Sequence, residues 1–291
     1  NFRLRSQLKI EIQKLQPKLS VVSFEGHCWE KVVFEICKNE LNNNCKNIGY
    51  QHGGVIRNQK HINRTYKKNF NPDVILNSGK LNQKYFSKSH KSKKNELFEI
   101  GSNRFIYADK KYLYKKRKKK NKSCLILPEG TNFETKILFD FANELAEKFQ
   151  DYKFILRTHP QINMRKFLKR FFFFDRYKKK DNLIFSKDSF PNDLNKCAYV
   201  LYRGSTGVIP AVLKGLLPIY FKLPNESINL DPIFELKKFK YNISTIDEFR
   251  SIINHRDNKI DEFKQALSFC GNYFTEQDTQ KTQSIFKKLI K

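Results

Sequence analysis

The chain has 291 residues, of which 39% are hydrophobic, and its formal net charge is +28. This length and apolar content allow one large or two ordinary domains and exclude a disordered chain. No stretch of about 18 uninterrupted apolar residues occurs, so the sequence predicts no membrane-spanning helix. The first residue is Asn1 and not Met, and we expect the N-terminal unit to be truncated.

Short runs rich in β-branched residues alternate with helical patterns along the chain. The predicted strands are residues 19–24, 47–50, 73–76, 97–100, 123–127, 153–157, 182–185, 199–202 and 218–221. The predicted helices are residues 29–41, 81–86 and 133–149, with a helical tail from residue 245. This alternation is typical of parallel sheets with helices on both faces. We expect an α/β fold of two Rossmann-like, doubly wound units facing a cleft, residues 1–117 and residues 118–291, the second including the tail.

The 57 Lys and Arg residues concentrate in three basic runs, at residues 88–94, 110–122 and 176–180. Such runs are typical of loops, and they raise the possibility of a nucleic acid or an anionic membrane as partner. The abundance of Lys, Asn, Ile and Phe is also typical of AT-rich coding sequences, and we attribute most of the charge to that bias. The chain has no recognised nucleic-acid-binding module, so we do not expect nucleic acid as its partner.

The six cysteines include no Cys-x-x-Cys pair, and the chain has no His-x-x-x-His pair. We therefore expect no metal site and no bound cofactor. Cys124 and Cys197 lie in apolar runs and are expected to be small buried hydrophobic residues. A reducing, cytoplasmic compartment is the simplest interpretation of this cysteine usage.

The carboxyl ends of the predicted strands carry the candidate functional residues, because ligands of open α/β sheets bind there. In the first unit these ends hold Glu25, His27 and His52. In the second unit they hold Glu129 with Gly130, Arg157 with His159, and the stretch 203–207.

The stretch 203–207, Arg203-Gly204-Ser205-Thr206-Gly207, predicts either a phosphate cradle or a simple turn. Two glycines let the backbone approach a ligand, and the Ser and Thr hydroxyls stand where a helix begins. The alternative is that Ser or Thr only caps that helix.

His159 and Arg157 are candidates for holding a phosphate, His159 by hydrogen bonding or protonation and Arg157 as a bidentate partner. Glu25 could serve as a general base, with His27 and His52 as rivals for that role. Structural roles stay open for all of them: a helix cap or an ion pair for Glu25, and surface or core positions for the others.

These motifs together resemble bacterial glycosyltransferases of the two-Rossmann GT-B architecture that use CMP-activated acidic sugars, the sialyltransferases and Kdo transferases. The resemblance rests on Glu25-Gly26, His159-Pro160 and Ser205-Thr206. It implies that Glu25 deprotonates the acceptor hydroxyl, that His159 binds the phosphate of the departing CMP, and that Ser205 and Thr206 complete the cradle. The implied reaction is inverting and independent of a metal.

The sequence departs from the family pattern at two places. Phe24 stands where an acidic residue usually precedes the Glu-Gly pair, and Glu129-Gly130 is a second Glu-Gly pair in the donor-side unit. Pro210-Ala211 stands where retaining relatives carry the Glu-Ala pair that holds the donor ribose, which weakens the case for UDP- or GDP-sugars.

Several alternatives remain open at this point. The chain could be a CDP-polyol phosphotransferase, a UDP-GlcNAc 2-epimerase-like enzyme, a basic nucleic-acid-binding protein or a non-catalytic binder of nucleotide-sugars. The partners that we expect are a nucleotide-sugar and a glycan or lipid-linked acceptor of surface polysaccharide synthesis. The basic and Phe-rich segments add a hypothesis of peripheral contact with the anionic inner face of the plasma membrane.

Overall fold

The computed structural model describes residues 2–54, 68–89, 96–105, 122–171, 180–254 and 260–290. Within these ranges the chain forms two compact units. The first comprises the described residues up to 105 together with 272–290, and the second comprises 122–271. Most of the three basic runs, and residues 172–174 of the Phe-rich block, lie outside the described residues.

The first unit contains four helices and four strands in its described part. The helices are α1 (Phe2–Leu15), α2 (Cys28–Glu40), α3 (Lys80–Ser89) and, in chain order the last, α10 (Thr279–Ile290). The strands are β1 (Leu19–Ser23), β2 (Lys46–Gln51), β3 (Val74–Asn77) and β4 (Glu96–Glu99), and a 3₁₀ turn spans Lys68–Phe70.

The first sheet is parallel throughout and its strands follow one another in chain order, β1-β2-β3-β4. Every residue of β3 is buried, as expected for a parallel strand covered on both faces. One face packs against Phe34 of α2 and Phe86 of α3, and the other packs against α10. These packed faces fix the direction of the strands and place their carboxyl ends at one edge.

The helical tail corrects the expected domain boundary, because its last part packs with the first unit. Ile285 of α10 is buried among Ile48, Val74 and Leu76 of the first sheet. The segment before α10 also bonds to that unit, since Thr275 donates its N–H to Ser78 and accepts one from Ser102. The apolar stripe of α10 is drawn to the sheet face that α2 and α3 leave uncovered.

The second unit contains six helices and six strands in its described part. The helices are α4 (Asn132–Lys148), α5 (Met164–Phe171), α6 (Phe190–Lys196), α7 (Val208–Leu213), α8 (Ile246–Asn254) and α9 (Ile260–Gly271). The strands are β5 (Ser123–Leu127), β6 (Lys153–Leu156), β7 (Leu183–Phe185), β8 (Tyr199–Tyr202), β9 (Leu217–Phe221) and β10 (Tyr241–Ile243).

The second sheet has the strand order β10-β9-β8-β5-β6-β7, and every pair is parallel. The chain therefore runs outward from β5 in one direction through β6 and β7, then returns to the other side of β5 with β8. This reversal creates a topological switch point between β5 and β8, where the loops that follow the two strands diverge and leave a crevice. The predicted α/β fold of two parallel-sheet units is confirmed.

Two further findings concern disulfide bonds and the capacity of the helices to span a membrane. All six cysteines lie in described residues and none of them forms a disulfide, and Cys124 and Cys197 are buried as predicted. Of the helices that the structure describes, none combines the length and the apolar character needed to span a bilayer.

Replacing Ile285 by Ala tests the assignment of α10 to the first unit. We expect a loss of about 2–4 kcal/mol, because a buried Ile side chain is removed from a packed sheet face. Hydrogen exchange followed by mass spectrometry should then speed up in β2 and β3 but not in β5. Ile290→Ala, at an exposed position of the same helix, is the matched control. Faster exchange in β5 with unchanged exchange in β2 and β3 would contradict the assignment.

Candidate functional site

The loop after β1 is held from behind by Glu30, a fully buried carboxylate in the first turn of α2. Its oxygens accept the backbone N–H groups of Glu25, Gly26 and His27 at 2.8–3.1 Å. Burial raises the pKa of Glu30, while the three backbone N–H groups act in the opposite direction. Glu30 thereby fixes the loop that carries the predicted residues Glu25 and His27.

The side chain of Glu25 lies between the two histidines that the sequence proposed as its rivals. Its Oε2 is 3.4 Å from Nε2 of His27, and its Oε1 is 3.7 Å from Nε2 of His52. The carboxylate is about one-third exposed, so a ligand can reach it. One carboxylate between two imidazoles can accept a proton and pass it to a neighbour, which is an arrangement suited to general-base catalysis.

Gly53 leaves room for the carboxylate of Glu25 in this arrangement. A Cβ added at Gly53 would come within 2.2 Å of Oε1 of Glu25. Gly26 adopts a φ of 86°, a region that favours glycine. The structure thus brings Glu25, His27 and His52 together after the carboxyl ends of β1 and β2.

In the second unit, Glu129 and Gly204 meet at the switch point between β5 and β8. Gly204 has a φ of 68°, and a Cβ there would come within 2.5 Å of Cβ and Cγ of Glu129. Only a glycine lets the two loops approach this closely.

His159 joins the same edge from the loop after β6. A Cβ added at Gly130 would lie 3.0 Å from Nδ1 of His159. That Nδ1 accepts the backbone N–H of Gln161 at 3.3 Å. In the neutral ring the proton therefore sits on Nε2, which is then the atom that can donate to a ligand.

The turn at residues 204–207 is partly closed by its own hydrogen bonds. Gly207 donates its N–H to Oγ of Ser205, and the N–H groups of Val208 and Ile209 go to the carbonyls of Ser205 and Thr206. Within the described ranges, the hydroxyl of Thr206 and the N–H groups of Ser205 and Thr206 have no hydrogen-bond acceptor in the protein. The predicted cradle therefore offers one hydroxyl and two backbone N–H groups to a ligand, fewer than the four free N–H groups of a full helix N-terminus.

Arg157, which the sequence predicts as a phosphate ligand, is already bound within the protein through its Nη1. Its Nη1 donates to the buried carboxylate of Asp193 at 2.7 Å and to the carbonyl of Asp188 at 2.8 Å. The guanidinium also lies over the ring of Phe190. The buried carboxylate of Asp193 in α6 takes up the positive charge of this guanidinium.

The guanidinium of Arg203 is bound within the protein more completely than that of Arg157, and its side chain is only 3% exposed. It forms ion pairs with Glu134 and Glu226 and donates to the carbonyl of Phe221 and the hydroxyl of Tyr220. Its predicted role as a phosphate ligand is therefore wrong in this structure. It instead ties the end of β8 to α4 and to the loop after β9.

Glu30, Asp193, Glu134 and Glu226 were missed by the sequence reasoning. A signal was present for two of them, because an acidic residue at the third helical position is typical of a capping box. Glu30 stands three residues after His27, and Glu134 stands three after Thr131. Asp193 and Glu226 have no comparable local signal, since their partners are distant in sequence. Among the described residues, no group of three or more His, Cys, Asp or Glu could hold a metal.

Comparison with known proteins identifies the fold but no family. No protein-family model and no curated protein matches the chain. The kitacinnamycin glycotransferase structure is similar over 99% of this chain and 80% of that one, at 9% identity and a TM-score of 0.61.

Two further solved structures are similar. UDP-GlcNAc 2-epimerase of Methanocaldococcus jannaschii, in complex with UDP-GlcNAc and UDP, covers 98% of this chain and 80% of its own at 15% identity, with a TM-score of 0.58. Acinetobacter baumannii MurG covers 99% and 79% at 10% identity, with a TM-score of 0.57. The chain has a GT-B-like fold. At these identities the likeness concerns the fold alone.

The Arg203 network yields a stability prediction. Arg203→Met leaves the carboxylates of Glu134 and Glu226 without their cation, at a cost of about 3–5 kcal/mol. The double variant Arg203→Met with Glu226→Gln removes one of those charges and should recover part of the loss. Urea unfolding measures both. A single variant as stable as the parent chain would show that the network does not support the turn.

Proposed function

We propose that the chain is a glycosyltransferase that uses a nucleotide-activated sugar. The observation that carries the proposal is the convergence at the switch point of the second unit, where Glu129 meets Gly204 and Gly130 meets His159. Ligands of doubly wound folds bind at this position. The GT-B-like fold supports the proposal, since the structures it matches include a glycotransferase.

The proposed reaction is a single inverting displacement, with the acceptor recognised by the first unit and the donor by the second. The acceptor oxygen forms a bond to the anomeric carbon while the bond from that carbon to the phosphate oxygen breaks. Glu25 takes the proton of the acceptor hydroxyl. Nε2–H of His159 and the hydroxyl of Thr206 donate to the phosphate as its charge grows, and we propose that this occurs without a metal.

A CMP-linked acidic sugar is the donor that we propose. Both arginines expected at the phosphate, Arg157 and Arg203, are bound to carboxylates of the protein. The donors at the switch point are then an imidazole, hydroxyls and backbone N–H groups, which suit one phosphate better than a diphosphate with more charge. The first turn of α7 also lacks an acidic residue to hold a ribose.

A second candidate is a UDP-GlcNAc 2-epimerase, favoured by the similarity to the archaeal enzyme of that name. It predicts that UDP-GlcNAc alone, with no acceptor, is converted to its C2 epimer. Nuclear magnetic resonance of the sugar distinguishes that product from transfer. A phosphotransferase would be distinguished by leaving a phosphate on the acceptor.

Nucleotide binding tests the donor assignment, using calorimetry with CMP, CDP, UDP and GDP. We expect CMP to bind most tightly, and we expect His159→Ala or the pair Ser205→Ala/Thr206→Ala to weaken it about tenfold or more. Glu25→Gln should keep CMP binding but lower transfer at least about a hundredfold. The pair Ser244→Ala/Thr245→Ala, at the start of α8, is the matched control. Preference for UDP would overturn the CMP assignment.

We also propose that α5 helps to hold the protein at an anionic membrane carrying a lipid-linked acceptor, which places it at the cytoplasmic face. Met164, Phe167 and Leu168 of α5 pack against the core of the second unit. The opposite side of the helix exposes four basic residues, Arg165, Lys166, Lys169 and Arg170. Such a basic face is attracted to anionic lipid headgroups.

Vesicle co-sedimentation tests this surface. Arg165→Glu with Lys169→Glu should reduce binding to phosphatidylglycerol vesicles several-fold, with no binding to phosphatidylcholine vesicles in either case. Lys237→Glu with Lys238→Glu, an exposed basic pair elsewhere in the same unit, is the control of equal charge. Equal losses in the two variants would assign the binding to net charge and not to α5.

A further inference from the structure

The single tryptophan of the chain, Trp29, is exposed and follows the candidate base Glu25 by four residues in sequence. It occupies the second position of α2, and 40% of its surface is accessible. Its two preceding residues, His27 and Cys28, are exposed as well. An exposed indole of this size can contact a ligand directly.

The packing of α1 explains why Trp29 is not part of the core. Apolar residues of α2 from Val32 onward pack against Leu8 and Ile12 of α1. Ion pairs of Arg5 with Glu35 and of Lys9 with Glu40 hold the two helices side by side in the same direction. Trp29 lies one turn before this covered stripe, so its ring continues an apolar stripe into solvent.

Glu30 ties Trp29 to the candidate base, because it is the residue that follows Trp29 and it binds the loop of Glu25. The N–H groups of Glu25, Gly26 and His27 all end on its carboxylate. The ring and the base therefore stand on one rigid turn and not on separate mobile loops. Groups fixed in this way can orient a substrate for reaction.

We propose that Trp29 is the platform on which the acceptor sugar ring stacks, and that it sets the specificity of the acceptor side. The inference rests on the proposed glycosyltransferase function. An indole offers a flat apolar face and one N–H donor, which matches the C–H face and the polar rim of a pyranose. An acyclic polyol or a bare phosphate has no such face.

Fluorescence tests the platform directly, because all tryptophan emission of the intact chain comes from this residue. The probes are lactose, methyl β-galactopyranoside and methyl N-acetyl-β-glucosaminide, with glycerol 3-phosphate and CMP for comparison. We expect a saturable change with at least one glycoside and none with the other two compounds. No saturable change with any glycoside, or an equal change with CMP, overturns the proposal.

Two variants separate stacking from a structural role. Trp29→Leu should raise the acceptor KM about tenfold and leave the donor KM unchanged, whereas Trp29→Phe should restore most of the affinity. Ile184→Ala, at an equally exposed position of β7, should change neither constant. An acceptor KM that stays the same in Trp29→Leu refutes the platform while transfer itself continues. Absence of nucleotide-sugar binding and transfer in the parent chain refutes instead the proposed function.

Discussion

The shape of the second unit's candidate site depends on the buried guanidinium of Arg203. It lies directly behind the turn at residues 204–207 and is neutralised by Glu134 of α4 and by Glu226. A charge so deeply buried is tolerated only with paired carboxylates and satisfied donors. Three elements are thereby tied together: the end of β8, the first turn of α4 and the loop after β9. The approach of Gly204 to Glu129 follows from this tie.

The first unit applies the same physical constraint with the opposite charge. Glu30 is buried behind the loop after β1 and takes up three backbone N–H groups, while Glu25 in front stays accessible. In both units a buried ionic group fixes the backbone, and an exposed neighbour remains for a ligand. This difference between buried and exposed groups explains why residues only two positions apart in sequence, such as Arg203 and Ser205, have different roles.

The strands and the convergence of their ends could be predicted from the sequence, because β-branched runs and strand-end polarity are local signals. The long helix α4 was predicted for the same reason. The sequence did not predict helices α1, α5 and α6 or strand β10, because their hydrophobic patterns are short or are interrupted by basic residues. The placement of α10 on the first sheet was also missed, since only the three-dimensional structure shows which face was left uncovered. The sequence could not show that Arg157 and Arg203 bind carboxylates of the protein, because their partners, Asp193 and Glu226, are 36 and 23 residues away.

The capture of both arginines also bears on the chemistry of the donor. A nucleoside diphosphate leaves with a larger total negative charge than a nucleoside monophosphate, and cations, metal ions or helix N-termini can stabilise that charge. At the switch point the hydrogen-bond donors are instead the Nε2–H of His159, the hydroxyl of Thr206 and backbone N–H groups, beside the carboxylate of Glu129. Neutral donors of this kind stabilise a single phosphate well when they are fixed in place, and Arg203 and Gly204 supply that rigidity. The carboxylates that already bind the two arginines support the proposed CMP-linked donor, and this support does not depend on the sequence motifs.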